Sequence, residues 1–260
     1  MADLEYTVQD GVGTILLNRP DVKNAFTLQM IDDWAAALHS ARTDPDVRVV
    51  VLTGAGDAFC SGVDLSVLRE VGDEPLALKS MLTERVHQVA LAVEALHKPI
   101  IAAVNGVAVG AGMDMALMCD IRILSRSARM SEGYITVGLV PGDGGCYYLP
   151  RLVGMEKALE LLWTGDFVDA DEAVRIGLAT QVHDDADFVA AYRAFADRLA
   201  GQPPLNVAMI KRAALQSAGT DLRTSLDLIS SHFAVIHGTR DSKEARAAFA
   251  ERRQPQYEGR

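Results

Sequence analysis

Two nearly continuous apolar runs constrain this chain most, because each breaks off into a glycine-rich loop. Val47–Thr53 is followed by Gly54-Ala55-Gly56-Asp57-Ala58-Phe59-Cys60-Ser61-Gly62-Val63-Asp64-Leu65. Ile100–Val104 is followed by Asn105-Gly106-Val107-Ala108-Val109-Gly110-Ala111-Gly112, which flows directly into a helical pattern. Runs without polar alternation predict strands covered on both faces, as in a mainly parallel sheet. The loops predict places where the main chain approaches a ligand closely and where a helix start leaves N–H groups unpaired. Two such loops facing each other would offer a pair of N–H donors to a developing oxyanion. A plainer reading also stands, in which the glycines only terminate strands.

The remaining pattern is α/β. Leu4–Val8 and Val12–Asn18 flank Asp10-Gly11 and predict a hairpin. Thr27 predicts the cap of a helix with Leu28, Ile31, Ala35 and Leu38 on one face. Leu76–Leu96 predicts a long helix, and Ile121–Leu124 and Leu178–Val182 predict further strands. Beyond Asp185 four helical patterns follow, near Phe188–Leu199, Leu205–Gln216, Leu222–Ile236 and Lys243–Glu251, with no strand among them. The expected division is a strand-rich core over 1–184 and a helical tail over 185–260. Pro99–Met118 has the length of a membrane span, but Pro99, Asn105, Asp114 and its glycines favour a buried strand, a turn and a buried helix.

Composition narrows the function. Asp and Glu number 35 against 25 Lys and Arg, a formal charge of -10. This argues against a nucleic-acid footprint or an anionic membrane surface as partner. Cys60, Cys119 and Cys146 lack metal-ligand spacing and fit reduced structural thiols in a cytoplasmic protein. The start of the chain has no cationic or apolar signal pattern. Gly54-Ala55-Gly56 fails the dinucleotide fingerprint, since Phe59 holds the third glycine position. Ser61 fails the nucleophile elbow, with Phe59 two residues before it. The helical patterns contain no His-Glu-x-x-His zinc signature.

Taken together, Asn18-Arg19-Pro20, Asn24-Ala25, Val51–Gly54, Ala58–Leu65, Lys98–Gly106, Cys119-Asp120 and Gly138–Pro141 with Gly144-Gly145 resemble the enoyl-CoA hydratase/isomerase (crotonase) family across nearly the whole chain. The resemblance implies a spiral of ββα turns with a helical, subunit-contacting tail, assembled as a trimer or dimer of trimers. It implies an acyl-CoA thioester substrate, no metal or other cofactor, and an oxyanion hole made by the backbone N–H groups of Val63 and Ala111. It implies contacts to substrate and CoA from Lys23, Ala25, Val63, Asp64, Leu65, Ser66, Ala111 and Tyr134. Arg19 and Lys23 read equally as solvated surface charge.

The family pattern breaks at its acids. Where hydratases carry two Glu residues, this chain has Asp114 and Tyr134, and a phenol with a reference pKa of about 10 is a poor base at neutral pH. Asp143 resembles the acid of isomerase-type members and is the favoured catalytic group, with a helix N-cap as its alternative. Asp114 reads either as a second acid/base or as a first-turn dipole partner. Glu132 lies close but two residues out of register. The expected activity is enoyl-CoA hydration, with double-bond migration through Asp143, or acyl-CoA binding without turnover, as alternatives. A nicotinamide-dependent oxidoreductase is disfavoured by Phe59.

Overall fold

The computed structural model describes residues 2–260. Its first strands, β1 (Leu4–Gln9) and β2 (Val12–Leu17), pair antiparallel across Asp10-Gly11, both at positive φ, as two-residue hairpins require. Thr27 caps α1 (Leu28–Thr43) by accepting from the Met30 N–H. The chain then repeats one unit: a strand in a large sheet, a short strand in a small sheet, and a helix. β3 (Val49–Gly54) leads to β4 (Ala58–Cys60), followed by α2 (Leu65–Val71), α3 (Pro75–Met81) and α4 (His87–Glu94). β5 (Ile100–Val104) leads to β6 (Val107–Val109) and α5 (Ala111–Leu117). β7 (Ile121–Ser125) leads to β8 (Arg129–Ser131), then α6 (Gly145–Val153) and α7 (Met155–Thr164). β9 (Val168–Asp169), α8 (Ala170–Arg175) and β10 (Gln181–His183) close this part. The large sheet runs β1-β2-β3-β5-β7-β10, parallel after its first hairpin, and the small sheet runs β4-β6-β8-β9. This is the expected spiral of ββα turns.

The apolar runs are continuous because both sheet faces are covered. Val49, Val51, Ile101 and Ala103 face Phe188, Ala196 and Ala200 of α9 (Asp185–Ala200). Val50, Leu52, Ile100, Ala102 and Val104 face the other way, into the core of Ile31, Trp34, Leu38 and Val89. The first helix of the expected tail is therefore a cover of the sheet. Only α10 (Pro204–Ser217), α11 (Leu222–His237) and α12 (Arg240–Glu251) stand off the sheet, and α10 buries no residue. Pro99–Met118 is β5, β6 and α5; among the described residues no helix is long and apolar enough to cross a membrane.

Two sequence expectations are revised. The last strand is Gln181–His183, because Leu178 is fully buried in the core ahead of it. The long helix is broken by a π-helical turn at Leu82–Val86, which separates α3 from α4. The small sheet, of strands two or three residues long, has no visible period.

One residue ties the early turn to the first glycine loop. Asn24 is fully buried at φ 56°, accepts from the Arg19 N–H at 2.9 Å, and donates to Ala55 O at 2.9 Å and Ala58 O at 2.8 Å. Asn24→Ala removes the donor of the Ala55 carbonyl and one of the two donors of the Ala58 carbonyl, and puts Ala in the left-handed region. The expected loss is roughly 2–4 kcal/mol of stability, read as a lower urea midpoint at unchanged m-value.

Candidate active site

The two glycine loops meet in the structure. Phe26 N–H donates to Gly62 O and Asp64 N–H donates to Phe26 O, both at 2.9 Å. Extended backbone alternates its N–H directions, so the Val63 N–H between them points away from Phe26. Ala111 is the first residue of α5, and its N–H has no intrahelical acceptor. Among the described residues neither N–H has a protein partner. Gly62 lies at φ 97°, and a Cβ there would sit 3.1 Å from Val109 O and 3.6 Å from the Ala111 nitrogen. Only glycine allows both that backbone conformation and that approach.

Beside the N–H pair lies a buried group of acids. Tyr134 packs its ring on Gly110, where a built Cβ would meet ring atoms at 3.7–3.9 Å. Its hydroxyl donates to Asp114 Oδ2 at 2.7 Å and lies 3.3 Å from Asp143 Oδ2. The Asp143 N–H reaches Asp114 Oδ2 at 3.3 Å. Asp114, Glu132 and Asp143 are 0%, 2% and 7% exposed, so all three carboxyls sit out of water. Burial is the main cause that raises each pKa. It takes Asp114 to about 7 and Glu132 to about 9, with the neighbouring carboxylates adding to the rise. Asp143 is raised by burial as well, while His87 and the Tyr134 hydroxyl act in the opposite direction. Tyr134 is pushed far up by burial and by the acids around it, so it stays a neutral donor.

The helix-cap reading of Asp143 fails. Gly144 is the N-cap of α6, and no side chain caps that helix. Asp143 Oδ2 instead faces Tyr134, and Oδ1 has no protein partner. Asp114 is both things considered for it, in the first turn of α5 and a member of the acid group.

The proposed CoA-contacting side chains are largely engaged with one another. Lys23 Nζ is clamped by both Asp57 oxygens, at 2.7 and 2.6 Å, on the surface. Arg19 pairs with Asp64 at 2.9 Å and with the Ala25 carbonyl at 2.5 Å. Asp64 caps α2 through the Ser66 N–H, and those bonds with Arg19 hold its carboxyl down at about 2. Ser66 returns its hydroxyl to Asp64 at 2.8 Å. Ala25 is buried, and Leu65, 67% exposed, is the side chain this segment leaves open.

Sequence reading passed over His87. It opens α4 right after the π-helical turn, and its Nε2 lies 2.8 Å from Gly142 O, a carbonyl that only accepts, so Nε2 carries a hydrogen. A lone histidine in a long helical pattern gives no signal; the interruption at Leu82–Val86 was the one available, and it has no sequence mark. Buried Cys60 and Cys119 thiols are pushed up to about 12 and take no part.

Known proteins resemble the chain over its whole length. The sequence profile described as enoyl-CoA hydratase/isomerase matches residues 7–260. The (E)-benzylidenesuccinyl-CoA hydratase of Thauera aromatica is 36% identical over 255 residues, 97% of each chain. The 1,2-epoxyphenylacetyl-CoA isomerase of Escherichia coli is 35% identical over 254 residues, again 97% of each. The crystal structure of an enoyl-CoA hydratase from Bacillus anthracis superposes with a TM-score of 0.93 at 31% identity, covering 100% of both chains.

The acid group makes stability pH-dependent with a definite sign. Carboxyls raised above their unfolded values of about 4 bind more protons in the folded state, so their stabilising effect is full below that value. It is lost as pH rises through the window ending near about 7 for Asp114 and about 9 for Glu132. The melting temperature should fall from pH 5 to pH 9, and fall less in Asp114→Asn; parallel profiles would show that the acids do not set the slope.

Proposed function

The chain belongs to the enoyl-CoA hydratase/isomerase family, and from that premise we propose that it hydrates an enoyl-CoA thioester, with Asp143 moving the proton. The observation that carries this reading is the pairing of two free backbone N–H groups, Val63 and Ala111, with a buried carboxylate that keeps one oxygen free. The thioester oxygen sits between the N–H pair, which withdraws electrons from the conjugated double bond. Water attacks the β-carbon while Asp143 takes its proton. The enolate that forms is stabilised by the same two N–H groups. Asp143 then returns the proton to the α-carbon, so one water is added and the carboxylate is restored. Asp114 holds the Tyr134 hydroxyl in place, and the phenol orients Asp143.

Val63, Asp64, Leu65 and Ser66 border the CoA thioester in this reading, with Ala25 beneath them. Lys23 reaches the nucleotide end when it leaves Asp57, a solvent-screened surface pair. No metal or redox cofactor is needed, because CoA enters as part of the substrate. Three free cysteines suit a reducing cytoplasm. Double-bond migration is the second reading, favoured by the single proton-moving carboxylate.

Asp143→Asn tests the assignment. A positioned base contributes about 10²–10⁴-fold, so kcat should fall by that factor with KM little changed, while a loss under about threefold would remove Asp143 from the chemistry. Running the wild-type reaction in oxygen-18 water separates the readings: hydration puts the label in the product, and migration does not.

We also propose that the tail joins subunits into a trimer or dimer of trimers. Leu222, Leu226, Ile229 and Phe233 are all exposed on one face of α11, and Met209, Ile210 and Ala213 of α10 continue the apolar groove. A stripe of this kind is covered in stable proteins. Light scattering should give a multiple of three times the 28.0 kDa chain, and Phe233→Glu should lower it; a wild-type monomer at micromolar concentration would remove the proposal.

A further inference from the structure

Glu132 is the most isolated acid of the molecule. It is 2% exposed, and neither of its carboxyl oxygens has a donor. Asp114 Oδ1, in a residue with no exposure at all, lacks one too. The three oxygens crowd round one point: a Cβ built on Gly145 would lie 2.5 Å from Asp114 Oδ1 and 2.6 and 2.7 Å from Glu132 Oε2 and Oε1. The titratable groups facing them are Asp114 from α5, Tyr134 from the turn after β8, Asp143 from the following loop and Cys146 from α6. No basic group acts on Asp114 or Glu132, and His87 of α4 acts on Asp143 instead. Two adjacent carboxylates with no cation or donor between their facing oxygens cannot both stay ionised out of water. A single proton between them removes one charge and joins one Glu132 oxygen to Asp114 Oδ1 in a hydrogen bond.

We infer that Glu132 is a positioning residue: it stays in the acid form, donates its hydrogen to Asp114 Oδ1, and so fixes Asp114 as the anion that orients Tyr134 and the Asp143 backbone. The proton belongs on Glu132 because Asp114 already receives the Tyr134 hydroxyl and the Asp143 N–H, both of which favour its anion, whereas Glu132 receives nothing. Burial acts in the same direction, raising Glu132 above Asp114. Glu132 is also placed badly for taking a proton from substrate, since Asp114 and Gly145 stand against its oxygens. Its role rests on the reading that Asp143 moves the proton, but the shared hydrogen does not.

The test uses the full-length protein and two variants, Glu132→Gln and Glu132→Ala. Gln keeps an N–H donor toward Asp114 and carries no charge; Ala supplies no donor. At pH 7 the wild type should show the infrared carbonyl stretch of an un-ionised buried carboxyl group, shifted in heavy water, and Glu132→Gln should lack it. With an enoyl-CoA substrate, Glu132→Gln should keep kcat within about threefold of wild type. Glu132→Ala should lose about tenfold or more in kcat, near 1.4 kcal/mol per decade, with KM little changed. A wild type without that band, or a Glu132→Gln whose kcat falls by tenfold or more, overturns the inference. Should Glu132→Ala not fold, the band and the Glu132→Gln kinetics decide alone. An active Asp143→Asn alongside an intact band would sink the reaction reading and leave the shared proton standing.

Discussion

A parallel sheet buried on both faces leaves its strands only one way out. Each must leave through its carboxyl end, and neighbouring strands leave side by side. Here β3 and β5 are paired along Val50–Thr53 and Ile100–Ala103, so their loops emerge together. The short strands of the small sheet then pair as well, Ala58 with Val107, which keeps the loops in register as they turn. Gly62 and Ala111 are brought into contact by that second pairing. The N–H pair is thus a product of sheet geometry more than of any side chain, and Val63 and Ala111 serve as well as any other residues.

The acids obey a different economy. Water is excluded from them by the core that the sheet creates, and the one histidine beside them, His87, acts on only one of the three. A buried carboxylate without a partner is costly, so burial raises all three above the ordinary carboxylate range. A carboxyl group moved in that direction is a better base toward substrate near neutral pH. The same desolvation that would destabilise an ordinary core tunes this one. Tyr134, where the family pattern puts a second acid, links Asp114 to Asp143 without adding charge.

Much of this was legible in the sequence, and the misses have physical causes. The runs Val47–Thr53 and Ile100–Val104, the cap at Thr27 and the Asp10-Gly11 hairpin rest on local chemistry that neighbours in sequence carry. The strands Ala58–Cys60, Val107–Val109 and Arg129–Ser131 are too short for a period to show, although each one shapes the site. Asp143 has the residue type of a cap and sits at a helix start, so local reading left its role open; a tyrosine nine residues earlier decides its partner. Arg19 and Asp64 stand 45 residues apart, and nothing along the chain joins them. Glu132 looks out of register only while β8 is taken as ending in straight chain. Gly133, at φ 33°, bends it so that Glu132 and Tyr134 both reach Asp114.

Gly145 has a consequence for how such a chain drifts. Its missing Cβ is the volume that the Asp114 and Glu132 carboxyls occupy. Any side chain at 145 displaces both of them; a smaller residue at 132 vacates part of the space that an alanine at 145 would claim, and Asp114 Oδ1 must turn aside for the rest. The two positions, thirteen residues apart, therefore form one steric unit: the residues tolerated at either depend on what the other holds. Evolutionary paths through this corner of the protein are ordered, with both acids required to yield before the glycine can grow.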